Sequence, residues 1–429
     1  MTHERIHIHH GHIIDPASGV DAPGDLYIAD GKIVSLNTAP DGFSADTEID
    51  ASNKIVCPGF IDLSARLREP GQEHKGTIAS ETRAAARSGI TTLCCPPDTL
   101  PVIDTPAVAD LIQNQARKAG YARVLPIGAL TYRLQGDQLS EMAALKDAGC
   151  VGVGNALQPL LNTLVQRRSM EYAATHDLTV FLHSEDPSLR DAGTVHEGPV
   201  SARLGIPGIP EAAETVAVAR DLALVACTGV RAHFCRLSTA HAIKMVARAQ
   251  FDGLPVSADV SAHQLFLTDE DVATFDSNCH FRPPLRSSED RDALRQGLCN
   301  GSIAAICSDH QPHENDAKEA PFPATEPGAS TLETLLPLAL RLQQSNTLGL
   351  SDVIALLTSG PGRIIGSSFG TLTPGSSADV CIFDPDYRWQ LNEDTMLSRG
   401  HNTPFLNQEM IGLVTHTLLS GHLVYTHGG

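Results

Sequence analysis

A chain of 429 residues is too long for one small core and long enough for a large barrel with a minor domain. A hydrophobic fraction of 42% argues against a disordered or fibrous chain, and a formal net charge of −19 with no Lys/Arg block argues against a nucleic-acid or anionic-membrane partner. The opening MTHERIHIHHGHIID has neither the apolar run nor the cleavage site of a secretory signal, and no run in the chain reaches the roughly 20 apolar residues of a membrane helix. A cytoplasmic chain is expected. Its ten cysteines lack CxxC spacing and read as reduced thiols, with Cys94, Cys95, Cys235 and Cys307 in buried strand-like runs.

Residues 1–55 alternate as strands do, with turns at Asp15-Pro16, Asp30-Gly31 and Asp41-Gly42. His3, His7, His9, His10 and His12 are dense enough for a metal-binding tail. Their alternation with Ile6, Ile8 and the later Ile13 favours the exposed face of an edge strand instead. A different rhythm follows, in which short apolar runs precede longer stretches of helical period. The runs are VCPGFID, ITTLCCP, ARVLPIG, CVGVG, LTVFLH, RAHFCR, PVSADVS and IAAICSD; helical patterns include Glu81 to Arg87, Val165 to Thr175 and Asp290 to Cys299. Eight such units predict a (β/α)8 TIM barrel within the α/β class. The proline-rich loop from His313 to Ser330 would lie on its carboxyl-terminal face, where such loops carry function. From about Gly370 the strand texture returns. The expected organisation is a barrel over 56–367 and a small β-sandwich formed from both chain ends, 1–55 and 368–429.

The sequence contains no P-loop, no GxSxG elbow and no strand followed by GxGxxG. Several segments together carry a resemblance: Pro58–Thr99, LHSEDPSL (Leu182–Leu189), His196–Glu214, RPPLR (Arg282–Arg286), SDHQPH (Ser308–His313) and GTLTPGSSADVCIFDP (Gly370–Pro385). In order and over nearly the whole chain they resemble dihydroorotases of the amidohydrolase superfamily, of the class that pairs with aspartate transcarbamoylase.

That resemblance implies one or two zinc ions at the barrel mouth, yet most of the implied ligand positions hold other residues. The first-strand His-x-His positions are Ser64 and Arg66. The fourth-strand carboxylated lysine or aspartate falls at Asn155 and Ala156, and the sixth-strand histidine at Arg236. His183 and Asp309 are the surviving positions, Asp309 also being the family's catalytic acid/base. Guanidinium has no lone pair to donate and stays protonated, so the expectation is that zinc is lost and no cofactor is bound. Asp309 would then serve as a salt-bridge acceptor for Arg66 or Arg236, and His183 as a hydrogen-bonded core residue. Arg68 and His313 match substrate contacts of the family. Asp98 and Arg282 replace two family asparagines, and an acid at a site for an anionic substrate argues against the original ligand. His263 reads as core packing.

The resemblance thus points to a non-catalytic dihydroorotase homologue in pyrimidine biosynthesis, assembled with the catalytic chain of aspartate transcarbamoylase in a homo- or hetero-oligomer. The alternative is a living cyclic amidohydrolase, acting on dihydroorotate or another cyclic amide or ureide through an altered metal site.

Overall fold

A computed structural model describes residues 4–428. Eight short parallel strands form the barrel: Phe60–Asp62, Ile90–Cys95, Arg123–Pro126 continued by Gly128–Ala129, Gly152–Gly154, Thr179–Leu182, Ala232–Phe234, Val256–Ser261 and Ala305–Cys307. The ring closes between its first and last strands through the parallel bridge Ala65–His310 and a hydrogen bond from Ser308 N–H to the Asp62 carboxylate, 2.9 Å. All eight predicted runs supply barrel strands. VCPGFID is divided, however, because Ile55–Pro58 joins the sheet of the small domain and only Phe60–Asp62 enters the barrel.

The helices follow from local chemistry. Ile78–Arg87 begins at Thr77, whose hydroxyl accepts from Ser80 N–H while the Ser80 hydroxyl accepts in return from Thr77 N–H. Ala212–Thr228 ends at Gly229, whose φ of 67° is left-handed and leads the chain directly into the sixth strand. The barrel interior is a packed core of Ile61, Leu63, Cys94, Ile127, Phe181 and Cys307.

Both chain ends meet in one eight-stranded sheet that forms the small β-sandwich and encloses its own core, Ile6, Ile8, Ile13, Leu26, Ile28, Val380, Ile382 and Leu418 among its members. The strand Ile6–Asp15 is not at an edge, contrary to the sequence expectation: it lies between Val20–Ala29 on one side and Thr47–Asp50 with Ile55–Pro58 on the other. His7 and His9 are half-buried and His10 exposed, and His3 lies outside the described residues. The small domain packs on the barrel through Phe60 and Phe383, both fully buried, each side chain contributing about 1.5–3 kcal/mol of apolar burial. Arg123 adds an ion pair to Asp379 across the same junction, 2.9 Å. Cys94, Cys95 and Cys307 are buried free thiols and Cys235 is half-buried. Among the described residues no helix is long and apolar enough to cross a membrane.

Candidate functional site at the barrel mouth

The carboxyl ends of the strands bring Ser64, Arg66, Ala156, His183, Arg236 and Asp309 toward one point, although they are spread over 245 positions of sequence. Asp309 is at the centre. Its carboxylate accepts from Ser64 Oγ at 3.2 Å and from the Gln311 amide at 3.2 Å. Arg236 Nε lies 3.4 Å and Arg66 Nη1 3.6 Å from the same Oδ1. Both arginines thus converge on Asp309. Arg66 is further held by Asp98, its Nε 2.9 Å from Oδ2, and Arg236 donates from Nη1 to Ser64 Oγ at 3.1 Å. Asp309 keeps Arg236 protonated against the opposing effect of burial. Arg68, Ala156, Arg236 and Asp309 all have positive φ, 49–65°, a conformation that ordinary side chains adopt only when the surroundings impose it.

The His183 side chain is buried, and its Nε2 lies 3.8 Å from Glu185, beyond hydrogen-bond reach. Burial pushes its pKa down to about 4, so at neutral pH the ring is uncharged. Glu185 itself pairs with Arg282 and with Arg190. Burial acts to raise Glu185, but the hydrogen-bonded guanidinium of Arg282 outweighs it and holds the carboxyl below the ordinary carboxylate value. The sequence reading missed Glu185; its signal was an acid two residues beyond a strand-end histidine, which on an extended chain faces the same way.

The positions matching substrate contacts are engaged with protein. Arg68 donates to Pro312 O at 2.9 Å and to Gln72, and lies 3.0 Å from His313 Nε2. His313 also contacts Lys75 and Pro327 O, which ties down its loop. Asn155 donates to Leu134 O and Gln158 O. The space left at the centre of the mouth is small: a cavity of about 20 Å³ between Ser64, Arg66, Ala156, His183 and Arg236, and one of about 10 Å³ behind His183 and Arg286. A wider cleft of about 530 Å³ opens beside it, lined by Asp98, Arg133, Gln158 and Asn162.

Among the described residues two groups place three potential metal donors together. His9, His10 and Asp50 lie on the surface of the small domain. His233, Cys235 and Asp259 lie inside the barrel, just below Arg236 in sequence. There His233 spends one ring nitrogen on Asp259 at 3.0 Å and the other on Ser257 at 2.9 Å, and Asp259 also accepts from Arg236 N–H. Burial raises the Cys235 thiol well above its ordinary value. A metal would have to break these hydrogen bonds.

His263 sits in the core as its sequence context suggested, stacked on Phe281 with ring centroids 4.0 Å apart. Burial, aided by Arg236, lowers its pKa from 6.5 to about 3. The unfolded chain therefore takes up a proton on this ring as pH falls below 6.5, while the folded chain does not until about 3. The stability this neutral ring supplies is present above 6.5 and lost progressively through that window. His263→Phe is expected to flatten the pH dependence of unfolding there by about 1.4 kcal/mol per pH unit, read from urea midpoints. An unchanged slope would show that the ring titrates normally.

Comparison with known proteins agrees with this architecture. The family profile described as "Dihydro-orotase-like" matches residues 53–242. A dihydroorotase-like protein of Pseudomonas aeruginosa is 51% identical over 424 residues, covering 99% of this chain and 100% of the relative. A dihydroorotase of Geobacter sp. (strain M21) is 41% identical over 421 residues, covering 97% and 98%. In solved structures, the L-hydantoinase of Arthrobacter aurescens superposes with a TM-score of 0.88 at 23% identity, covering 99% of this chain and 97% of that one, a likeness of fold. With identity of this level running end to end through barrel and sandwich, the chain belongs to the dihydroorotase-like family of the amidohydrolase superfamily.

Proposed function

We propose that this chain is a catalytically inactive dihydroorotase homologue that acts in pyrimidine biosynthesis as a structural subunit, assembling with the catalytic chain of aspartate transcarbamoylase. One observation carries the reading: Arg66 and Arg236 converge on Asp309 and leave about 20 Å³ between the former ligand positions, the 530 Å³ cleft beside them being lined by none of the six. Small-molecule sites usually offer roughly 300–1,000 Å³. The donor set does not fit zinc either. Of the six positions only His183 and Asp309 carry ligand atoms, and the two guanidiniums add positive charge where a dication would sit. A hydrolase of this kind depends on a metal to polarise the amide and to activate water, and no other group at the mouth replaces those effects. The intact barrel, sandwich and loops keep a surface suited to protein contact, which needs shape and burial rather than a metal.

The second reading is an active cyclic amidohydrolase with a displaced metal, and the His233, Cys235 and Asp259 group favours it. Elemental analysis of tag-free protein purified without chelator, a dihydroorotate assay with added zinc, and co-purification with aspartate transcarbamoylase separate the two. Substoichiometric metal, no turnover and a joint complex are the expected results. Bound zinc together with turnover would establish the second reading instead, and separate elution of the two chains would remove the proposed partner.

A further inference from the structure

The cavity at the mouth has an unusual lining. Its polar side chains are Ser64, Arg66, His183, Cys235 and Arg236, and neither an aspartate nor a glutamate borders it. Arg66 and Arg236 are 6% and 5% exposed, and each has nitrogen without a hydrogen-bond partner: Nη1 and Nη2 of Arg66, Nε of Arg236. His183 Nε2 is a fourth unpartnered atom on the same wall. Asp309 attracts Arg236 Nε and Arg66 Nη1 as an ion-pair partner at 3.4 and 3.6 Å without hydrogen-bonding either, and Arg66 Nη2 has no partner of its own. Leaving one buried donor unmet costs about 1–3 kcal/mol, and more for a charged group. Two guanidiniums with unmet donors on residues that line one space favour an acceptor there.

We propose that this cavity binds one small monovalent anion of halide size, so that the position enclosed by the former metal-ligand sites is inverted from a cation site to an anion site. The inference rests on the reading that no metal occupies the mouth. Volume sets the class: about 20 Å³ exceeds the roughly 10–15 Å³ that one water-sized particle needs and excludes a carboxylate of several heavy atoms. Donor balance favours an ion over water. A water brings two protons of its own, for which the lining side chains offer the Ser64 hydroxyl, one nitrogen of the uncharged His183 ring and the weak Cys235 sulfur; a halide needs none of these and is drawn by the two protonated guanidiniums. Ala156 contributes a methyl where an acidic side chain would have supplied the negative charge internally.

The test uses the wild-type protein and Ala156→Asp. Ala156 has φ 49°, a conformation that aspartate tolerates better than most residues, and its side chain borders the cavity. Bromide-soaked crystals measured at the bromine edge are expected to show an anomalous peak between Arg66, His183 and Arg236. In solution, replacing gluconate by chloride at constant ionic strength should raise the melting temperature of the wild type by a few degrees. The A156D protein should melt higher than wild type in gluconate and lose the chloride response. Absence of both the peak and the wild-type chloride response overturns the inference, as does a chloride response that persists in A156D. A zinc-free, halide-indifferent protein would remove the anion site and leave the proposed function intact; zinc in the cavity would remove both.

Discussion

Asp309→Ala is expected to destabilise the fold by roughly 3–5 kcal/mol, whether or not a chelator is present. The side chain is 1% exposed and is the shared counterion of Arg66 and Arg236. Removing it strands two protonated guanidiniums in a buried site. Arg66 keeps Asp98, but Arg236 is left with only the Ser64 hydroxyl among its side-chain hydrogen-bond partners. Asp309→Asn preserves shape and should cost less. A cycle combining Asp309→Asn with Arg236→Met isolates the pair: the double variant should be more stable than the sum of the single losses predicts, by about 0.5–3 kcal/mol. Urea unfolding with and without EDTA is the measurement. A metal ligand would behave otherwise, since chelator would destabilise the wild type and leave little further loss for D309A. That outcome would end the salt-bridge account.

The barrel was legible because its rhythm is local: each strand run and the helix that follows lie within a few dozen residues, and caps such as Thr77 and Gly229 are written in the chain. The changes at Ser64, Arg66 and Arg236 were legible because each is fixed between recognisable neighbours, as PGFIDL and LREPG fix the first two. What the replacements do was not legible. That both arginines reach the same carboxylate oxygen depends on the closure of the barrel, which brings residues 64, 236 and 309 together. The Glu185–Arg282 pair likewise joins loops 97 positions apart. The edge-strand expectation for Ile6–Asp15 failed for a related reason. Alternation shows that one face is wet, but not which strands lie alongside, and the strands that close its second side are Thr47–Asp50 and Ile55–Pro58.

Glu81 shows the same dependence on distant partners, and its removal should have the other large effect. It lies on the helix Ile78–Arg87, is fully buried, and joins three parts of the chain. Its carboxylate is 2.9 Å from His310 Nε2 beside the catalytic-position Asp309, accepts from Ser398 Oγ at 2.7 Å, and accepts from Arg399 N–H at 3.1 Å. Burial alone would raise its pKa; these hydrogen bonds, with His310 foremost, hold it below the ordinary carboxylate value. Glu81→Ala leaves the donors from His310, Ser398 and Arg399 unmet, for an expected loss of about 3–6 kcal/mol. Glu81→Gln keeps an acceptor and should lose less. The effect should also be local, because the segment carrying Ser398 and Arg399 continues to Asn402, which fastens it to Gln311 and Gly328 at the mouth. Freed from Glu81, the peptide after Arg399 should be cut by trypsin faster in E81A than in wild type, with E81Q between them. Equal cleavage rates in all three would show that Asn402 alone holds the segment, and that Glu81 is not the link between the helix and the loops that cover the barrel mouth.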